Sequence, residues 1–422
     1  MRKKAIVWGL TIILLCAGCG RAGDQGASPN AHVERIKSAY TAEDVDPGLV
    51  QASNGFGLSL AEKLMAERPA ENVWLSPVSI TAALALVSTG GAGRTGAEML
   101  ESLGLGGRDA DEVGQGYRVL IDLLSHPADD GVETSIASSL WLKEGKPFLD
   151  DFVARSRDDF GAEVRRADFA DPATLEEINE WTEQATRGRI ERMLENTEAE
   201  AAMYVLNAVY FNAAWKRPFD PERTTDGRFR ISDALTLPVK MMSAGGYYEY
   251  AGKDGYEAVR LPYGENGSAY LAVLMPDEGV SVPDLARALA DEPQRLTEPY
   301  DFHQGRIDIP RVQLEYSAGL EEELKRSGMS EAFDPERADF SAMAPEPPNL
   351  FISRVKHRTA LSLDEKGTEA AAATSVEMLA GAAPPDQPFH MTVDRPFIAA
   401  IVDRATGCIL FAGAVFHPGD VR

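Results

Sequence analysis

The chain has 422 residues, 44% of them apolar, and a formal net charge of −24 from 66 acidic against 42 basic side chains. That is ample material for a large core, and the charge argues against a nucleic-acid-binding role, which needs a basic surface. No Pro/Gly/Ser linker or composition break divides residues 50 to 419, and no repeat of fixed period appears. One large domain is therefore expected rather than the two or three that length alone allows.

In chain order, Arg2-Lys3-Lys4 and the apolar run 5–15 have the form of an export signal, the run being too short to span a membrane as a helix. Cys16-Ala17-Gly18-Cys19 resembles a bacterial lipobox with Cys19 as the lipidated residue, although Cys16 stands where such boxes usually hold Leu. Ordinary signal-peptide cleavage is the alternative. Gly20 follows Cys19 in place of the Asp that retains many lipoproteins at the inner membrane, which points to the outer membrane, on its periplasmic or surface face, with secretion as the other option. The expected division is a signal peptide over 1–18, a flexible tether over 19–48 and a single folded domain over 49–422.

Within that domain, Phe56, Leu58, Leu60, Leu64 and Met65 recur at roughly helical spacing and predict a helix over 54–66, with Asn54 as its cap. Ser76-Pro77 reads as N-cap and first helical residue of a second helix running to about Val87. A third is predicted over 174–194, holding Ile178, Trp181 and Ile190. Its charged stretch, Arg187, Arg189 and Arg192 with Glu191 and Glu195, is read as a solvated helix face. Strands are predicted over 203–211, 269–275, 305–309, 351–355, 397–402 and 409–416. Helices early and strands late argue for an α+β domain built on large, mostly antiparallel sheets. Of the three cysteines only Cys408 belongs to the domain, so no internal disulfide is expected, and its neighbours Ile409, Leu410 and Phe411 place it in a buried strand.

Nothing in the chain promotes an enzyme. The histidines, His32, His126, His303, His357, His390 and His417, are dispersed. There is no Gly-x-Ser-x-Gly elbow, His-Glu-x-x-His pair, Walker loop or Cys-x-x-Cys pair, and no metal-ligand cluster at fixed spacing. Neither a cofactor nor a metal is expected.

The most informative segment follows Glu365-Lys366-Gly367: Thr368, Glu369, Ala370, Ala371, Ala372, Ala373, Thr374, then residues 375–383 and Pro384-Pro385. Ala favours helix, yet this run follows a Gly, lacks apolar anchors at helical spacing and ends in prolines. Small side chains suit a strand that must enter a crowded sheet after the rest has folded. With the period of two that strands impose, Thr368, Ala370, Ala372 and Thr374 share the buried face and Glu369 the other.

Flanked by Asp364-Glu365-Lys366-Gly367 and Val393-Asp394-Arg395-Pro396-Phe397, this segment resembles the hinge and reactive loop of the serpin family. Further motifs agree in order. Asn72 to Ile80 is similar to the family's Ser-Pro-x-Ser helix start, and Asn207 to Trp215 to its central strand. Phe219-Asp220, Met241-Met242, Leu261-Pro262-Tyr263 and Thr406 to Gly413 follow, so the resemblance covers roughly residues 50 to 419. It implies three β-sheets, eight or nine α-helices and an exposed reactive loop over about 365–388. It also implies a monomer that inhibits serine proteases, and by extension a papain-like cysteine protease, through a covalent complex: the loop is cleaved, an acyl-enzyme forms, and the cut loop inserts into the main sheet. The alternative is a non-inhibitory member acting as a binding or carrier protein. The family's polyanion-activated members carry basic surface helices with no counterpart here, so a polyanion cofactor is not expected.

The resemblance also implies site residues. Glu365, Gly367 and 368–374 match the hinge of inhibitory members, which carry small residues there. Seventeen residues counted from Glu365 inclusive place the cleaved bond at Gly381–Ala382, with Met378, Leu379, Ala380 and Ala383 as alternatives. The window holds no Arg or Lys, which disfavours a trypsin-like target and favours elastase-, subtilisin- or chymotrypsin-like ones. Ser76, Ser79, Asn207 and His357 match the shutter, a buried polar cluster beneath the main sheet. Trp215 matches the large aromatic at the breach, where insertion begins.

Overall fold

The computed structural model describes residues 37–419 apart from 233, 254, 346–349 and 369–387. Eight α-helices lie among the described residues: α1 (Pro47–Glu67), α2 (Pro77–Ser88), α3 (Gly93–Ser102), α4 (Ala110–Ser125), α5 (Asp150–Asp158), α6 (Pro172–Ala185), α7 (Val282–Asp291) and α8 (Glu321–Arg326). The Pro at N1 of α1, α2 and α6 supplies a pre-set φ where no N–H is needed. The side chains of Asp46, Asp109, Asp171 and Ser281 accept from first-turn N–H groups of α1, α4, α6 and α7.

Two helix predictions need correction. α1 begins at Pro47, capped by Asp46, and Asn54 lies inside it. There Asn54 ties the helix to the C-terminal hairpin, donating to Gly407 O at 2.8 Å and accepting from Ile409 N at 2.9 Å. α6 stops at Ala185 rather than 194, because Arg187 (φ 50°) and Gly188 (φ 82°) turn left-handed and Gly188 N donates to Glu183 O at 2.7 Å. The arginine-rich stretch is consequently a loop, in which Arg187 pairs with Glu133 and lies over the Tyr210 ring. Upstream, Ser38 Oγ donates to Asp122 at 2.6 Å and residues 42–44 form a 3-10 turn.

The strands are β1 (Val73–Leu75), β2 (Val132–Lys143), β3 (Glu163–Ala167), β4 (Met203–Ala214), β5 (Thr225–Ser232), β6 (Leu235–Lys253), β7 (Tyr256–Tyr263), β8 (Ala269–Pro276), β9 (Phe302–Pro310), β10 (Val312–Gly319), β11 (Lys356–Leu363), β12 (Gly367–Thr368), β13 (Phe389–Thr392), β14 (Phe397–Asp403) and β15 (Ile409–Val415). One sheet runs β10-β11-β12-β4-β2-β3, and the other β1-β15-β14-β8-β7-β6-β9-β13 with β5 on β6. The long β6 serves two sheets at once: Met241–Glu249 pair with β9 and Glu249–Lys253 with β7. The expected α+β architecture is thus present, its described strands forming two hydrogen-bonded sheets, the larger of which is continuous through β6.

Five of the six predicted strand runs form strands. Residues 351–355 do not. Ile352 N bonds to Ala332 O, but the segment has no strand beside it among the described residues, and Phe351 stays 44% exposed. The core lies between the sheets. α2 packs on β4 on one side and β15 on the other, which is why it is apolar almost all round. This places the start of α2, with Ser76 and Ser79, directly beneath the six-stranded sheet.

Candidate functional site

At Leu363 the chain leaves β11 and reverses through Asp364–Gly367 into β12, a tight hairpin. Asp364 N donates to Gly367 O at 3.0 Å, and Asp364 Oδ1 accepts from Lys366 N at 2.8 Å. β12 then sits between two strands, Thr368 opposite Leu363 of β11 and Ala213 of β4. The approach to β4 is so close that a Cβ on Gly367 would lie 2.0 Å from Ala213 O, and Gly367 has φ +153°. Only glycine fits both demands.

The hairpin is fixed from every side. Trp215 donates its backbone N–H to Lys366 O and its indole Nε1–H to Asp364 O, both at 2.9 Å, and Phe219 N donates to Glu365 O at 2.8 Å. The Trp215 ring stacks on Tyr263 at 4.3 Å, and the Tyr263 hydroxyl bonds Thr368 Oγ1 at 2.6 Å. Tyr263 is fully buried, and burial pushes its phenol well above the ordinary range. Glu365, 5% exposed, accepts from Arg311 Nη2 at 2.7 Å and from Thr224 Oγ1 at 2.6 Å. Burial alone would raise its carboxyl; the Arg311 and Thr224 bonds outweigh that and hold it below the usual range.

Below Thr368, no ladder joins β4 directly to β11 among the described residues. The space between them is floored by Trp74, Val209, Phe211, Leu361 and Phe411. On the outer face it opens into a cavity of about 650 Å³ lined by residues 188–192, Glu195, Glu315 and Arg358. β12 fills the upper end of this gap, the slot between β4 and β11.

The four shutter candidates meet at this slot as two half-clusters. On the β4 side, Asn207 Oδ1 accepts from Ser79 Oγ and Asn207 Nδ2 donates to Ser138 Oγ at 2.9 Å. On the β11 side, His357 Nε2 accepts from Ser76 N at 3.1 Å. No hydrogen bond joins Asn207 to His357, and the buried hydroxyl of Ser76 has no partner among the described residues. Burial drives the His357 pKa down to about 3, so its ring is neutral across the physiological range.

Glu365, Gly367, Thr368 and Trp215 are thus brought together at the top of the slot. Hinge residues 369–374, Gly381, Ala382, the alternative bond positions Met378, Leu379, Ala380 and Ala383, and Cys19 lie outside the described residues. Sequence reading missed Arg311, Thr224 and Ser138, which no local pattern marks, and used Tyr263 only as a landmark. Cys408 is fully buried and burial pushes its thiol up, away from thiolate reactivity. Among the described residues no three His, Cys, Asp or Glu side chains are grouped to hold a metal.

Comparison with known proteins agrees with this geometry. The chain is similar to alpha-1-antichymotrypsin of Homo sapiens, 30% identical over 401 residues, covering 92% of this chain and 94% of that protein. It is equally similar to corticosteroid-binding globulin of Oryctolagus cuniculus, 30% identical over 376 residues, covering 88% and 96%. The structure of a thermophilic serpin, tengpin, in the native state superposes with a TM-score of 0.80 at 29% identity, over 90% of this chain and 97% of that one. A family profile described as serpin (serine protease inhibitor) matches residues 51–418, and the chain belongs to the serpin family.

Proposed function

We propose that this serpin is a suicide-type inhibitor of serine proteases. The observation that carries the reading is the slot. β4 has 12 residues, Met203–Ala214, and Gly367 pairs with its last one. Continued at that register, residues 367–378 run the full length of β4. Thr374 then falls between Asn207 and His357, the two shutter groups that do not bond each other, beside the unpartnered Ser76 hydroxyl. Every position facing the core from 368 to 374 is Thr or Ala.

The chemistry follows from that fit. A target protease attacks the Gly381–Ala382 bond, its nucleophile acylating at the Gly381 carbonyl while Ala382 leaves as a free amine. The cut segment then enters the slot. About a dozen residues at roughly 3.3 Å each carry the acyl-enzyme about 40 Å. At about 0.5–1.5 kcal/mol net per ladder bond, insertion releases on the order of 10 kcal/mol. Carried this far, the protease is distorted before water can complete hydrolysis.

Mixing the chain with elastase-, subtilisin-, chymotrypsin- and trypsin-like proteases tests this on denaturing gels. A band at the summed mass with the first three, and not the trypsin-like enzyme, is the expected result. Clean cleavage without a complex by every enzyme would count against inhibition. That outcome would favour the second reading, a carrier, which the similarity to corticosteroid-binding globulin supports. The proposal also includes a lipid anchor at Cys19 and an outer-membrane or surface location, to be checked by mass spectrometry of the mature N-terminus.

A further inference from the structure

The turn between β7 and β8 carries Asn266-Gly267, one of two Asn-Gly pairs in the chain. It is folded around a single carboxylate. Asp129, 1% exposed, accepts from Asn266 N and Ser268 N, each at 3.0 Å, and more loosely from Asn266 Nδ2 at 3.4 Å. The turn also supports the end of β4: Gly264 N donates to Ala214 O and Lys216 N to Pro262 O, both at 2.8 Å. Ala214 is the residue that pairs with Gly367 of β12.

Glycine has no Cβ to shield its backbone nitrogen, so after an Asn that nitrogen can attack the side-chain carbonyl. Three features of this turn favour the attack. Asn266 is exposed. Gly267 N–H donates to no group among the described residues, which leaves the nucleophile uncommitted. Lys216 Nζ donates to Asn266 O at 3.5 Å, the oxygen that carries the negative charge when the Gly267 amide loses its proton. The other pair, Asn54-Gly55, lies inside α1, where Gly55 N–H belongs to the helix ladder. Both ends of the Asn54 side chain are bonded as well, to Gly407 O and Ile409 N.

We infer that Asn266 is a deamidation site and that its modification loosens the turn behind β12. The Gly267 nitrogen bonds to Asn266 Cγ, the Cγ–Nδ2 bond breaks, and Nδ2 leaves as ammonia with the proton of Gly267 N. Water then opens the cyclic imide at either carbonyl, giving aspartate or isoaspartate and one added mass unit. Either product sets a second carboxylate against buried Asp129 where an amide donor stood. Isoaspartate also adds one carbon to the backbone of the turn. Ala214 and Lys216 thereby lose part of their support. The inference is independent of the inhibitor reading.

Ageing the full chain in warm, mildly alkaline buffer, followed by peptide mapping with mass spectrometry, tests it. The peptide holding Asn266 should gain one mass unit and contain isoaspartate, while the Asn54 peptide stays unchanged until the chain is unfolded in denaturant. Lys216→Met, which keeps the backbone bond to Pro262, should slow the reaction a few-fold, the scale of one exposed ionic contact. Asn266→Gln should gain no mass on ageing. Asn266→Asp should melt a few degrees lower than wild type and exchange the Ala214 and Lys216 amide protons faster. A native chain left intact at Asn266 under conditions that modify the unfolded chain overturns the site. A wild-type rate in Lys216→Met overturns the part given to Lys216, and wild-type exchange in Asn266→Asp overturns the link to β4.

Discussion

Replacing Thr368 by Arg asks whether the top of the slot can be occupied by anything but a small side chain. Thr368 is 3% exposed, its hydroxyl bonds Tyr263, and the ring of Tyr263 is walled by Trp215 and Phe211 at 4.3 and 5.3 Å. Both acids of the hairpin are already engaged, Glu365 with Arg311 and Thr224 and Asp364 with the backbone N–H groups of Lys366 and Gly367. An unpaired guanidinium here costs several kcal/mol in lost hydration, and the extra volume about 1–3 kcal/mol more. The two residues of β12 supply only a few ladder bonds, about 1 kcal/mol each. Retraction of β12 therefore wins over burial of the charge. Full insertion, at roughly 10 kcal/mol, remains downhill, but its first step is raised by at least about 4 kcal/mol, which slows it about a thousandfold. Deacylation is not slowed, so the protease escapes. In stoichiometric mixing with an elastase-like protease, Thr368→Arg should appear as cleaved product with no covalent complex, while Thr368→Ser, which keeps the hydroxyl, should behave as wild type. A stable complex with Thr368→Arg would refute the reasoning.

The remaining predictions concern the latch and the shutter. Arg311→Met strands the buried Glu365 carboxylate and should lower stability by about 2–4 kcal/mol, read as a lower urea midpoint; an unchanged midpoint would show that the pair is idle. Because Glu365 has a depressed carboxyl, its contribution is present above the ordinary value of about 4.3 and lost as pH falls through its lower folded-state value, and this acid-linked loss should be absent from Arg311→Met. His357 is depressed to about 3, so it contributes nothing adverse above its unfolded pKa of about 6.5 and destabilises the fold by about 1.4 kcal/mol per pH unit below that. Between pH 7 and 4.5, His357→Asn should therefore show a flatter loss of stability than wild type, and equal slopes would contradict the assignment. Gly367→Ala sets a Cβ against Ala213 O and should expel β12, with a lowered melting temperature and a several-fold loss of covalent complex; wild-type values for both would mean that the close approach is not needed.

Much of this site was legible because its parts are local. Pro77 marks the start of α2 by its pre-set φ at N1, although the Ser76 hydroxyl at the N-cap position caps nothing. Gly367-Thr368 form a two-residue strand whose small successors lie outside the described residues. The hairpin's latch was not legible. Arg311 stands 54 residues from Glu365, and nothing in either neighbourhood marks the pair, which only the antiparallel run of β10 against β11 brings together. Residues 351–355 show the converse failure. Phe351, Ile352 and Val355 suit a strand, yet strand formation needs a partner, and among the described residues no strand pairs with this segment. α6 was overextended for a simpler reason: periodicity continues through Ile190, but Gly188 ends the helix by a left-handed turn that a hydrophobic pattern does not register.

The central claim is that the slot between β4 and β11 accepts the cut loop. Its most direct test is the denaturant and thermal unfolding of the chain cleaved within residues 378–383, compared with the intact chain. Insertion of about a dozen residues should stabilise the cleaved form by on the order of 10 kcal/mol, a shift of tens of degrees or several molar in denaturant midpoint. A cleaved chain that unfolds with the intact one would mean that the slot stays empty, and the inhibitory mechanism would fall with it.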